Sequence, residues 1–163
     1  MSGTTNQRPV FVYGTLRPGQ PNWDRLLADR SERVVSGRLP GAVVLDCGHY
    51  PAAVERAGDG VAVGDVVWIR ATEWPAVLAA LDHLEGYDPG DPDPLFDRVI
   101  RSIETAQGPV DCWVYLAGRD LAESAPPLVA GGDWVVHCAG LPKYREHWQA
   151  IAETGGRAPR RTG

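Results

Sequence analysis

Two stretches carry residue types and spacings that could do chemistry. The first is Val10-Phe11-Val12-Tyr13-Gly14-Thr15-Leu16-Arg17-Pro18-Gly19. Its run of apolar and aromatic residues reads as a short buried strand. Gly14 follows at once, and Pro18-Gly19 forces a turn. A strand stopping inside a polar loop leaves backbone N–H groups without ladder partners. Successive N–H groups facing one hollow bind anions, carboxylates included; an ordinary strand and turn is the plainer alternative. The second stretch is Leu81-Asp82-His83-Leu84-Glu85-Gly86-Tyr87. In a helix, residues four and seven apart share a face. Glu85, four after Leu81 and seven after Leu78, therefore points with the apolar stripe, whereas His83 falls nearly opposite. Asp82 lies at the stripe's edge and is expected to meet solvent. Burial and the C-terminal end of the helix dipole both disfavour a charged carboxylate, raising the Glu85 pKa toward the range useful for proton transfer. If the helix ends a turn earlier, Glu85 is simply a surface residue before Gly86. Both readings stand on spacing alone.

The remaining candidates are weaker. Arg17 and Arg98 could each pair with a substrate carboxylate, or be ordinary surface or ion-paired arginines. Asn22 suits a helix N-cap. Tyr115, in a strand of alternating residues, lines a pocket or packs the core. Cys47 and His49 are two residues apart with no evident third orienting group, a poor basis for a thiol nucleophile. Cys112 and Cys138 read as buried packing thiols. No grouped Cys/His spacing suggests zinc, and no GK[ST] follows the first glycine, so neither a metal nor a nucleotide is expected.

These residues need elements to position them. The 163 residues suffice for one domain with a real core. We read residues 1–8 as a disordered lead-in, 9–153 as the folded domain and 154–163, with Arg157, Arg160 and Arg161, as a disordered tail. A net charge of −5 argues against a nucleic-acid surface. Three cysteines without a CxxC fit a reducing compartment. The polar N-terminus and the lack of a ~20-residue apolar run predict a cytoplasmic protein with no membrane contact. Asn22 to Leu27 starts a short helix. Arg33–Leu39 and Ala42–Leu45 flank Pro40-Gly41 as a hairpin. Residues 48–51 form a loop, and Val61–Arg70 is a long strand bulged or bent at Gly64. Thr72 caps a helix over Glu73–Glu85, followed by an Asp/Pro loop over 88–94. Strands at Phe96–Glu104 and Val110–Leu116 come next. A last helix from Pro142 stops at Gly155-Gly156, with Tyr144, Trp148 and Ile151 on one face. Hairpins without β–α alternation predict an α+β fold: a mixed, largely antiparallel curled sheet or small β-barrel with a few flanking helices.

Tyr13-Gly14-Thr15-Leu16-Arg17-Pro18-Gly19 followed some seventy residues later by Leu81-Asp82-His83-Leu84-Glu85-Gly86-Tyr87 resembles the γ-glutamylcyclotransferase-like family. That family includes AIG2-like proteins and γ-glutamylamine cyclotransferases, and the resemblance runs from Pro9 to Ala117. Val114-Tyr115 fits the same pattern. One departure is Phe96, two residues before Arg98, where the family commonly has tyrosine. The Asp/Pro insertion before it is also long. The resemblance implies a cofactor-independent enzyme of the C–N lyase or acyltransferase class, working as a monomer or homodimer on a γ-glutamyl amine or peptide. Glu85 would be the general acid/base, and 5-oxoproline the product. Tyr13, Gly14, Thr15, Leu16, Arg17, Asn22, Arg98 and Tyr115 are the expected substrate-binding residues. Two other readings accompany this one: a non-catalytic small-molecule or partner-binding module on the same fold, and removal of a γ-glutamyl protecting group in secondary metabolism. The acidic lip at 88–93 would suit a cationic leaving amine in the latter case.

Overall fold

The computed structural model describes residues 8–153, with side chains through 150. The expected lead-in, apart from the half-buried Arg8, lies outside the described residues, as do the tail and the Gly155-Gly156 stop. Among the described residues the strands are β1 (Val10–Val12), β2 (Ser31–Pro40), β3 (Ala42–Asp46), β4 (Pro51–Glu55), β5 (Val61–Ile69), β6 (Phe96–Thr105) and β7 (Gly108–Ala117). The helices are α1 (Pro21–Leu26), α2 (Trp74–Glu85), α3 (Arg119–Glu123), α4 (Trp134–Ala139) and α5 (Pro142–Glu153).

The strands run in the order β1-β5-β2-β6-β7-β4-β3, and a parallel β1–β7 pairing closes the first five into a barrel. The fold is thus α+β, a small mixed barrel with a β3–β4 hairpin attached and helices around it. β1 explains why the sequence there is apolar throughout. Successive side chains point to opposite faces, and both faces are covered. Phe11 and Tyr13 join one cluster with Val66, Ile103 and Val114. Val10 and Val12 join another with Val67 and the α2 residues Trp74, Val77 and Leu81.

β7 shares one edge between two partners. Trp113 N–H donates to the Pro9 carbonyl (2.9 Å) beside the Val10–Trp113 pairing, and three residues on Leu116 pairs with Ala53 of β4. Where β1 leaves and β4 takes over, the ladder opens. The Tyr13 hydroxyl fills that fork, donating to the Tyr115 carbonyl (2.6 Å) and accepting from Ala53 N–H (3.1 Å). Burial pushes its pKa far up, so the phenol keeps the proton it donates.

Several local expectations are corrected. β2 and β3 flank Pro40-Gly41 but do not form a hairpin: β2 pairs along its length with β5, and β3 with β4. β4 itself escapes a propensity reading because it opens on Pro51 and continues with Ala52-Ala53, poor strand formers. Gly64 marks no bulge; it pairs in register with Gly37. A Cβ there would collide with the Val12 carbonyl and the Phe11 ring, so glycine is required for the close passage of β1. Thr72 does not cap α2, whose N-cap position is Glu73 without a side-chain bond. Asn22 lies inside the first turn of α1, behind Gln20 at the N-cap position. In α5, Tyr144 and Trp148 share a buried face as expected, their rings 6.4 Å apart; the Ile151 side chain is outside those described.

Replacing Tyr13 by Phe strands two buried backbone groups at the fork. At ~1–3 kcal/mol for each unsatisfied group, urea denaturation should show a loss of roughly 2–6 kcal/mol. A loss below about 0.5 kcal/mol would mean the fork does not need the hydroxyl.

Candidate active site

α2 ends where the spacing of Leu78, Leu81 and Glu85 requires if the carboxylate is to face inward. Gly86 adopts the left-handed conformation (φ 67°), Gly86 N–H bonds to the His83 carbonyl (3.3 Å) and Tyr87 N–H to the Asp82 carbonyl (2.9 Å). This paired closure is a Schellman-type stop, and it keeps the helix intact out to Glu85. There Glu85 lines a cavity of about 890 Å³ together with Tyr13, Gly14, Thr15, Leu16, Asn22 and Tyr115. The residue is half-buried, its remaining surface opening on the cavity, and among the described residues its carboxyl has no hydrogen-bond or ion-pair partner. Burial raises its pKa from the ordinary 4.5 to about 7. A carboxyl poised there can take and return a proton near neutral pH.

The loop after β1 supplies the polar wall. Arg17 N–H bonds to the Gly14 carbonyl (3.1 Å) and Asn22 N–H to the Thr15 carbonyl (2.9 Å). Among the described residues, no protein acceptor meets the N–H groups of Thr15 and Leu16. Asn22, 2% exposed, fastens the loop: its Nδ2 donates to Thr15 Oγ1 (3.0 Å), and its Oδ1 accepts from Arg25 (2.8 Å). Pro51 packs where a Cβ on Gly14 would sit, so glycine lets β4 close against the loop. Phe96 is buried in the same cavity with its ring 6.1 Å from that of Tyr50.

Two expected binding residues stand elsewhere. Arg17 does not line the cavity; its guanidinium is held by Asp65 (2.8 Å) and Asp133 (2.9 Å). Arg98 also lies outside the lining, stacked between the rings of Tyr87 (5.0 Å) and Trp113 (4.4 Å). Its Nη2 donates to Asp82 Oδ2 (3.3 Å), while its Nε sits 2.8 Å from Oδ1 but off the axis for a hydrogen bond. Asp82 is therefore not the solvent-facing residue expected. It lines the cavity and accepts the Tyr115 hydroxyl proton at 2.6 Å. Its position three residues before Glu85 was the available signal, since residues three apart on a helix are neighbours. Trp148 of α5 also reaches the cavity, its Nε1 bonded to the His49 carbonyl (3.1 Å). An adjoining cavity of about 570 Å³ shares Asn22, Arg25 and Trp148 but lacks Glu85. Among the described residues no group of three or more His, Cys, Asp or Glu could hold a metal ion.

The raised Glu85 pKa fixes the sign of a stability test. Between about 4.5 and 7 the folded protein holds a proton that the unfolded chain releases, so ionising Glu85 as pH rises costs stability. Glu85→Gln should raise Tm relative to wild type at pH 8, with the gain disappearing by pH 5. Equal Tm values at both pH values would place the carboxyl in water.

A model of the family described as gamma-glutamyl cyclotransferase, AIG2-like, matches residues 10–136. The chain is 30% identical over 112 residues to the gamma-L-glutamyl-butirosin B gamma-glutamyl cyclotransferase of Niallia circulans, covering 68% of this chain and 67% of that protein. In fold it is similar to the crystal structure of YkqA from Bacillus subtilis (TM-score 0.59, 23% identity), covering 80% of this chain but 40% of that one. It is likewise similar to an AIG2-like protein from Mus musculus (TM-score 0.57, 19% identity), covering 96% and 97%. The match from β1 into α4, which carries both the glycine loop and Glu85, establishes that this chain belongs to the gamma-glutamyl cyclotransferase, AIG2-like family.

Proposed function

We propose that the protein cleaves γ-glutamyl amides by attack of the substrate's own α-amine on its γ-carbonyl, releasing 5-oxoproline and a free amine. The observation that carries this reading is the Glu85 carboxyl, half-buried in the wall of the cavity that Thr15 and Leu16 also line, without a bonding partner among the described residues and with its pKa raised by burial. The substrate reacts as its free α-amine, whose lone pair attacks the γ-carbonyl while Glu85 takes one of its two amine protons. The amide C–N bond breaks as Glu85 returns that proton to the leaving nitrogen, and the second amine proton remains as the ring N–H of 5-oxoproline. Ring closure within one molecule needs positioning above all, and well-oriented intramolecular reactions reach effective molarities of ~10⁵–10⁸ M. The N–H groups of Thr15 and Leu16 bind the substrate carboxylate or the oxyanion formed at the γ-carbon, where one donor is worth ~10²–10³ in rate.

A purely binding protein gains nothing from Glu85, whose charge is opposed by its surroundings, so the enzymatic reading is favoured over the binding module. The relative from Niallia circulans is named for a γ-glutamyl-butirosin, and Asp88 lines this cavity. The Asp88 carboxylate supports a cationic leaving amine.

Incubation with a panel of γ-glutamyl amines should yield 5-oxoproline, and Glu85→Gln should lower turnover by ~10²–10⁴. Below about pH 7 kcat/KM should fall as Glu85 takes up its proton. Full turnover by the Gln variant would falsify the assigned role. N-acetylated substrates should be inert; their hydrolysis would exclude internal attack.

A further inference from the structure

Tyr115, at the end of β7, buries its ring and touches Asp82 with its hydroxyl. A phenol has one proton and two lone pairs. At 2.6 Å that single proton is engaged by Asp82 Oδ1, so the hydroxyl can offer a ligand only a lone pair. Asp82 in turn is held by Arg98, itself fixed between two aromatic rings. The bond's direction is set from behind the cavity. Resting on the cyclotransferase reading above, we infer that Asp82 is a positioning residue: it orients the Tyr115 hydroxyl so that Tyr115 accepts a hydrogen bond from the substrate's α-amino group.

Two other polar side chains of the cavity wall are already engaged. The Tyr13 hydroxyl both donates and accepts within the fork. Asn22 Oδ1 takes the Arg25 donor and its Nδ2 is bound to Thr15 Oγ1. An amine about to attack carries more than one N–H. Glu85 can receive one proton; a second N–H needs an acceptor to fix the direction of the lone pair, and Tyr115 provides it in the same cavity. Glu85 is also near enough for its charge to oppose ionisation of Tyr115, which burial and the bond to Asp82 already oppose. The phenol therefore stays a neutral acceptor. Arg98 balances the Asp82 charge, which lets Asp82 hold the phenol without itself capturing the ammonium.

The test separates this inference from the reaction it rests on. In the Glu85→Gln background, which should bind without turning over, titration calorimetry compares γ-glutamyl butylamide with glutaryl butylamide, its analogue lacking the α-amine. The expected result is tighter binding of the aminated ligand, and a loss of about tenfold or more for that ligand on adding Tyr115→Phe. The glutaryl ligand should change by less than about twofold. Asp82→Asn, whose amide can donate to Tyr115 and reverse the bond, should erase the same discrimination; a merely structural role would weaken both ligands alike. Undiminished discrimination in Tyr115→Phe would overturn the inference while wild-type production of 5-oxoproline still stood. Absence of 5-oxoproline with wild-type enzyme would overturn both.

Discussion

One hydroxyl holds the architecture of the site together. β7 cannot pair with β1 and β4 along the same stretch of edge, so the barrel must open where one replaces the other. An open ladder exposes backbone groups that the interior cannot leave unpaired. Tyr13 closes the account by bonding to a carbonyl of β7 and an N–H of β4. With its side chain directed into the fork, the following backbone leaves the sheet and lines the cavity. The same residue thus ends the strand, seals the barrel and starts the polar wall.

The opposite requirement operates on α2. Leu81 and Trp74 anchor it against the barrel, and Gly86 stops it one residue after Glu85. That places a half-buried carboxyl in the cavity wall, where packing limits its access to water. The nearby Asp82 bears a full set of partners, and Glu85 has none among the described residues. Two carboxyls three residues apart are thereby separated in role: one is held by an arginine and a phenol, the other is available to a ligand. The contrast follows from what each side chain meets beyond the helix.

Much of this was legible in the sequence because it is local. The apolar run of β1, the Leu78/Leu81/Glu85 stripe and the β6–β7 hairpin each follow from spacing within a dozen or so residues. The positions of Arg17 and Arg98 were not legible, since Asp65, Asp133 and Asp82 reach them only through tertiary structure. The false β2–β3 hairpin has the same origin: a turn signal at Pro40-Gly41 is local, but the choice of partner belongs to the barrel. Gly64 reads as an irregularity until β1 is seen crossing it.

Proton transfer by Glu85 near neutral pH requires a carboxyl that burial has made hard to ionise in the folded protein. Following that carboxyl carbon by NMR across a pH titration of selectively labelled protein measures this directly. A midpoint near 7 is the result expected; a midpoint near 4.5, the ordinary value for a hydrated glutamate, would contradict it.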